Sequence, residues 1–320
     1  MTLAELGWTQ RLQGEFAVHA GHGLTPGRIV GEHRTHFQVA TDAGELSAKI
    51  TGRLRNDAVQ RSDLPGVGDF VALRPAPADG HATIEAVLPR TSALIRKASS
   101  EDRPQLIAAN VEIVFIVMGL DGDFNLARLE RFLTLVRESG AQPVIVANKA
   151  DLAPGAKAAL ELIAAVAPGV PIHVVSARDP TVAAILKPYF EGNRTAVLVG
   201  SSGAGKSTLT NLLLGRTAQA TGEVRVHDSR GRHTTTHRQL FQRPDGGSII
   251  DTPGMRGLEA WTTAVPVPDD FADIDALAAS CKFRDCHHLS EPACAVRAAI
   301  ANGTLDAARL EVFKTTAPQR

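Results

Sequence analysis

The chain has 320 residues, enough for two or three domains, and 44% of them are apolar, as in ordinary globular proteins. Its 34 basic side chains equal its 34 acidic ones, so global charge singles out no polyanionic partner and basic stretches have to be judged one at a time. Its three cysteines, Cys281, Cys286 and Cys294, share one short segment, which excludes a disulfide framework, and no apolar run reaches the ~18 residues of a membrane span.

Residues 1–24 hold two apolar clusters, Leu3–Leu6 and Leu12–Val18, which suit either a short helix or a loose arm. Met1–Leu12 lacks the basic-then-apolar layout of a signal peptide, so the expected compartment is the cytoplasm, with no membrane contact. From Pro26 to Arg90 the chain alternates short β-type runs with Gly, Asp and Pro: Arg28–Val30, Phe37–Ala40, Leu46–Ile50, Phe70–Leu73 and Ile84–Val87. Five such strands over 25–93 fit an OB-like β barrel, with another small β domain as the alternative.

The texture changes at Asn110. Val111–Met118 is a nearly continuous apolar run, the mark of a strand buried on both faces. An amphipathic helix over Leu126–Glu138 follows, then a strand at Pro143–Ala147, a helix at Lys157–Ala167 and a strand at Ile172–Val175. A helix at Val182–Phe190 and a strand at Ala196–Val199 complete the alternation. This predicts an α/β domain over 94–260, with a parallel sheet wrapped by helices and ligands bound at the carboxyl ends of its strands. Pro266 and Pro268 interrupt the chain before a helical, polar C-terminal domain over 261–320.

Gly200-Ser201-Ser202-Gly203-Ala204-Gly205-Lys206-Ser207 matches G-x-x-x-x-G-K-[ST] in full, between a predicted strand and a helix over Ser207–Leu214. Glycines let successive backbone N–H groups turn inward around phosphate oxygens, and the helix N-terminus adds partial positive charge. Lys206 is expected to bridge the β- and γ-phosphates, Ser207 to bind Mg²⁺ and Thr208 to reach the α-phosphate. A bare Gly/Ser-rich turn does not account for the complete motif in this setting.

The nucleotide is chosen elsewhere. Asn148-Lys149-Ala150-Asp151 follows a strand, and the Asp151 carboxylate can accept from guanine N1–H and N2–H₂, a donor pair that adenine lacks. Asn148 can meet the base edge, the Lys149 stem can cover its face, and Ser176-Ala177 adds a backbone contact to guanine O6. Asp251-Thr252-Pro253-Gly254 ends the strand Ser248–Ile250, with Asp251 expected to hold Mg²⁺ through water and Gly254 N–H to meet the γ-phosphate. One of Thr234, Thr235 and Thr236, with Thr235 favoured, is the candidate Mg²⁺ ligand of the GTP state; a strand edge also explains a Thr run.

The chain order is the informative feature: base-reading motif at 148, phosphate loop at 200, DTPG at 251, where an ordinary G-protein starts with the phosphate loop. Such a permutation preserves the sheet while joining old ends and opening new ones at the surface. Near the C-terminus, Cys281-x4-Cys286, a histidine (His287 or His288) and Cys294 form a closed set of four, appropriate to one structural Zn²⁺. Buried free cysteines are the alternative.

With these motifs together, the chain resembles the ribosome small-subunit-dependent GTPase A family from about Gly27 to the C-terminal region. The permuted motif order, Gly231–Thr236 (GRHTTT), Gly66–Val71 (GVGDFV), Leu88–Arg90 and the cysteine spacing carry the resemblance. It implies an OB domain, a circularly permuted GTPase domain and a zinc-binding domain. It also implies a GTP hydrolase stimulated by the small (30S) ribosomal subunit during late maturation of that subunit, with rRNA as partner and the chain a monomer. His288 falls on the family's ligand position. Met255 stands where Ras-like proteins carry a catalytic Gln, and His233, within GRHTTT, is the implied catalytic residue. The departures are the 24-residue N-terminal extension and DTPG where many members have DSPG. Two other classes compete: a kinase or ATPase using the same phosphate loop, which the 148–151 motif opposes, and an RNA-binding adaptor with a vestigial site, which Lys206, Ser207 and Asp251 oppose. Arg53, Arg55, Arg61, Arg90, Arg96 and Lys97 around the barrel suit rRNA phosphates or a plain solvated face.

Overall fold

A computed structural model describes residues 2–75, 81–96, 104–121, 124–153, 156–216, 238–251, 272–283, 286, 288, 291–305 and 310. Helix α1 (Gln10–Ala20) forms where a helix or a loose arm was expected, opened by Thr9, whose hydroxyl accepts from Leu12 N–H. Its Leu12 and Phe16 pack with Phe70, Ala72 and Leu88 of the barrel, and Trp8 meets Phe16 and Phe70 edge-on. Leu3 and Leu6, ahead of the helix, are buried as well, so the arm is an ordered part of the core.

The barrel is made by β1 (Thr25–Glu32), β2 (Phe37–Thr41), β3 (Gly44–Ile50), β4 (Phe70–Arg74) and β5 (Ala82–Val87). They close in the order β1-β2-β3-β5-β4, with β4 returning to β1. Helix α2 (Gly52–Asp57) follows β3. A two-stranded ribbon, β6 (Ala93–Arg96) with β7 (Gln105–Ala109), joins barrel to sheet. The sequence reading had no strands there.

The α/β unit comprises β8 (Ile113–Gly119), α3 (Leu126–Ser139), β9 (Gln142–Asn148), α4 (Ala156–Val166), β10 (Ile172–Val174), α5 (Val182–Leu186), β11 (Thr195–Gly200), α6 (Lys206–Leu213), β12 (Gln239–Gln242) and β13 (Ser248–Asp251). The strand order is β10-β9-β8-β11-β13-β12, parallel up to β13, with β12 antiparallel at the edge. The helix expected over Val182–Phe190 is α5 followed by a 3-10 turn at Lys187–Phe190, as suits Pro188, which supplies no N–H to an α-helical ladder. β12 also pairs with β1, so one 11-stranded sheet runs through both units. Ile29, Val39 and Leu73 of the barrel share one core with Val114, Val197, Leu240 and Ile250. Beyond lie α7 (Ala272–Ala278) and α8 (Ala295–Ala301), with a small core of their own around Ile274, Val296 and Ala299.

The Gly66–Val71 stretch wedges barrel against sheet. Gly68 has φ +97°, and a Cβ there would lie 2.0 Å from Ala109 O, a backbone atom that cannot swing aside. Gly68→Ala is expected to cost about 2–5 kcal/mol from left-handed strain plus overpacking. Denaturant unfolding checks it, and a loss under about 0.5 kcal/mol, the scale of an ordinary surface change, would refute the wedge. Next to it Arg28, 1% exposed, donates to Gly68 O, Asn110 O and Leu6 O, and stacks 4.6 Å over the Phe70 ring. Burial lowers its pKa to about 10 against the opposing charges of Glu112 and Asp69. Arg90, expected to face either rRNA phosphates or solvent, is instead committed to Asp69 (2.7 and 2.8 Å) and to the carbonyls of Ser62 and Leu64. Burial pushes the Asp69 carboxyl up, and Arg90 pulls it back.

Candidate functional site

The parallel strands bring most of the predicted nucleotide residues to one end of the sheet. Asn148 ends β9, Ser176 and Ala177 follow β10, Gly200 ends β11 and Asp251 ends β13. Register places Gly119 beside Asn148 and Val117 beside Gly200, so the strand ends line up across β9, β8 and β11.

Asn148 is 2% exposed and ties three motifs together. Its side-chain amide donates to Ala204 O of the phosphate loop at 2.8 Å, and its carbonyl accepts from Ala177 N–H at 2.8 Å. Each of its two side-chain polar atoms thereby makes one bond to the frame. Gly205 is required by the same contact: φ is +101° and a Cβ would stand 2.1 Å from the Asn148 amide nitrogen. Lys149 takes a left-handed backbone (φ +65°) and its ammonium pairs with Asp121 at 2.6 Å. Asp151 is exposed, in a 3-10 turn, with Arg178 at 3.7 Å. Both partners escaped the sequence reading. Asp121 lies just past a buried strand and Arg178 directly after Ser-Ala, and those positions at strand ends were the available signal.

The phosphate loop leads from β11 into α6 as expected. Ser202, Gly203, Ser207 and Thr208 are exposed, while Ser201 and Ala204 are buried. Lys206 turns back to donate to Gly200 O (2.9 Å) and Ser201 O. Asp251 is exposed at the end of β13. Thr235, Gly254, Met255 and His233, like His287, lie outside the described residues.

At the other end of the chain, Cys281, Cys286, His288 and Cys294 offer ligand atoms all within 4.8 Å of one another. Cys281 Sγ lies 3.8 Å from Cys294 Sγ and 3.7 Å from His288 Nδ1, and His288 Nδ1 lies 3.3 Å from Cys294 Sγ. A tetrahedral Zn²⁺ with normal bonds asks for edges of about 3.8 Å between sulfurs and about 3.5 Å between sulfur and nitrogen. The four therefore fit zinc. His288 reaches the cluster with a left-handed backbone, φ +58°. Burial disfavours the Cys281 thiolate, yet the N–H groups of Val296 and Ala295 hold its pKa below the usual thiol value. Burial and two neighbouring sulfurs push Cys286 up to about 11, a conflict that a bound cation relieves.

A phosphate loop that comes after its base-reading motif, on a sheet in the order β10-β9-β8-β11-β13-β12, defines a circularly permuted P-loop nucleotide-binding protein. The RsgA GTPase family model matches residues 87–261. Small ribosomal subunit biogenesis GTPase RsgA 2 of Lactiplantibacillus plantarum is 46% identical over 98% of this chain and 88% of its own length. RsgA of Opitutus terrae is 44% identical over 97% and 87%. Among solved structures, YjeQ from Thermotoga maritima covers 91% of this chain and 96% of its own at TM-score 0.59 and 25% identity. YloQ, a circularly permuted GTPase, covers 92% and 95% at TM-score 0.55 and 26% identity. The chain belongs to the RsgA GTPase family and is a GTP hydrolase. The match to the Lactiplantibacillus relative leaves only about 2% of the chain outside it, so most of the 24-residue extension is shared with that relative and does not set this chain apart.

Proposed function

We propose that this chain is a GTP switch that binds the small (30S) ribosomal subunit and its rRNA and acts in late maturation of that subunit. It hydrolyses GTP to GDP and phosphate with stimulation by the subunit, as a monomer in the cytoplasm. Near-full-length identity with relatives named small ribosomal subunit biogenesis GTPases supports the partner. No helix among the described residues is long and apolar enough to cross a membrane. The observation that carries the nucleotide reading is the Asn148 junction, which locks base-reading loop, Ser-Ala loop and phosphate loop into one frame.

In this reading the loop from Gly200 to Gly205 cradles the phosphates and Lys206 neutralises the β- and γ-oxygens. Thr208 contacts the α-phosphate. Mg²⁺ is held by Ser207 and, in the GTP state, Thr235, with Asp251 acting through water. Gly254 N–H meets the γ-phosphate. Asp151 reads guanine, flanked by Lys149, Ala150, Ser176 and Ala177. One Zn²⁺ staples the C-terminal helices through Cys281, Cys286, His288 and Cys294. The domain limits that go with this are 25–93 for the barrel, 94–260 for the GTPase unit and 261–320 for the zinc unit.

GTP turnover with and without purified small subunits tests the whole. Stimulation is expected, and equal rates in the two would overturn the subunit's role. For the base, competition binding should show a preference for GTP over ATP of about 10⁴, the size reached by sites built around a hydrogen-bonded group. Asp151→Asn should move the preference toward xanthosine nucleotides. Equal affinity of the unaltered protein for ATP and GTP would end the guanine assignment.

A further inference from the structure

Gly31 of β1 faces Gln239 of β12, and Gln239 faces Asp251 of β13. One rung of the sheet thus runs from a barrel strand to the candidate Mg²⁺ carboxylate. On its other side β13 is registered with β11 only as far as Val197 opposite Ile250. Among the described residues, then, the backbone of Asp251 is placed in the ladder by Gln239, and Gln239 by the barrel.

The β1–β12 junction is narrow. Gly31–Gln239 is its register pair, and Glu32 N–H donates to Arg238 O at 3.2 Å. Side chains reinforce it. Arg238 Nη1 donates to Glu32 Oε2 at 3.2 Å and to Leu106 O of β7 at 3.0 Å. Leu106 in turn lies against Gly66, at the start of the wedge. The Arg238 side chain is 18% exposed and that of Glu32 35%, enough cover for the pair to be partly shielded from solvent. One guanidinium thus joins the barrel, the β6–β7 ribbon and the strand that registers Asp251.

We propose that Glu32 and Arg238 are positioning residues for the Mg²⁺ site: their ion pair fixes β12 on β1 and, through Gln239, sets where Asp251 stands. The proposal rests on the reading of Asp251 as the Mg²⁺ carboxylate. It makes the cation site answer to the barrel, because a displacement of β1 reaches Asp251 through two residue pairs, Gly31–Gln239 and Gln239–Asp251.

The test is the Mg²⁺ concentration giving half-maximal basal GTP hydrolysis, measured alongside GDP affinity in excess chelator. Glu32→Gln and Arg238→Gln should each raise half-saturating Mg²⁺ about two- to fivefold, the scale of a partly exposed ion pair. Metal-free GDP affinity should stay unchanged. The charge swap, Glu32→Arg with Arg238→Glu, should recover part of the loss. An unchanged Mg²⁺ requirement in both single variants overturns the proposal. So does a rise that the swap leaves untouched, or GDP affinity falling equally without metal, since either assigns the effect to general loosening. Asp251→Asn separates the layers. If it raises the Mg²⁺ requirement while Glu32→Gln and Arg238→Gln do not, the coupling alone fails. If Asp251→Asn has no effect, the reading of Asp251 fails and the coupling with it.

Discussion

Cys294→Ala is expected to empty the zinc site and unfold the C-terminal helices while leaving GTP binding in place. Among the described residues, the buried core under α7 and α8 is Ile274, Cys294, Val296, Ala299, Leu305 and Leu310. A set this size needs a staple, and zinc in comparable small modules contributes an apparent ~10–16 kcal/mol. Cys294 has two roles in this proposal: its sulfur is the proposed zinc ligand, and it accepts from Arg297 N–H at 3.5 Å as the N-cap of α8. Loss of a cap alone costs about 1 kcal/mol, so the metal dominates. Elemental analysis should fall from one zinc per chain to nearly none, and limited proteolysis should open sites between 272 and 310. The GTPase sheet has separate cores, so nucleotide affinity should hold. Full zinc in the variant, or none in the unaltered protein purified without chelator, refutes the assignment. His288→Ala should lose the metal and His287→Ala should keep it.

His233→Ala should abolish most of the subunit-stimulated hydrolysis while leaving GTP and subunit binding nearly normal. Met255 stands where a glutamine would orient water, and a thioether cannot do so. With the other phosphoryl-transfer motifs in the sequence, water alignment and charge stabilisation are proposed to be what the subunit supplies. Supplying such parts in other GTPases is worth about 10³–10⁵ in rate. His233 can hydrogen-bond water at neutral pH in either protonation state, and docking on the subunit is proposed to bring it to the γ-phosphate water. Single-turnover rates on saturating subunits measure the loss. Undiminished stimulation in the variant would hand the alignment of water to another residue or to rRNA.

Most of the architecture was legible because buried parallel strands write themselves as apolar runs. Val111–Met118 and Pro143–Ala147 predicted β8 and β9 to within a residue or two. The phosphate loop and the cysteine spacing were legible because their chemistry tolerates few substitutes. The β6–β7 ribbon was not, since Ala93–Arg96 and Gln105–Ala109 are four and five residues long and show neither clean alternation nor a hairpin-turn dipeptide between them. The buried roles of Arg28 and Arg90 were illegible for a different reason. A sequence shows that a residue is charged, and only the fold shows that carbonyls from residues 6, 68 and 110, or a buried Asp69, are waiting for it. Asn148 looked like a base contact because it opens the base-reading motif. Its commitment to Ala177 and Ala204 depends on loops 29 and 56 residues away.

The Arg28 contacts and the β1–β12 rung bear on how the chain folds as it leaves the ribosome that makes it. The barrel emerges first, yet it is born unfinished. Arg28 must wait 82 residues for the carbonyl of Asn110, and Glu32 must wait 206 residues for Arg238. In that interval the outer end of β1 is an open edge, kept short by a glycine at 31 and closed off by the acidic Glu32, features that discourage strand-to-strand aggregation. The permutation sets a second timetable. The strands β8, β9 and β10, which carry the candidate base-reading loops, pair with one another and are synthesised before β11 and the phosphate loop. Translation therefore builds the guanine half of the site first, and the phosphate half docks onto it when Ala204 reaches the amide of Asn148. Nascent chains halted after β10 should hold β8–β9–β10 without binding nucleotide, and those released past Asp251 should gain binding and a sealed barrel in a single step.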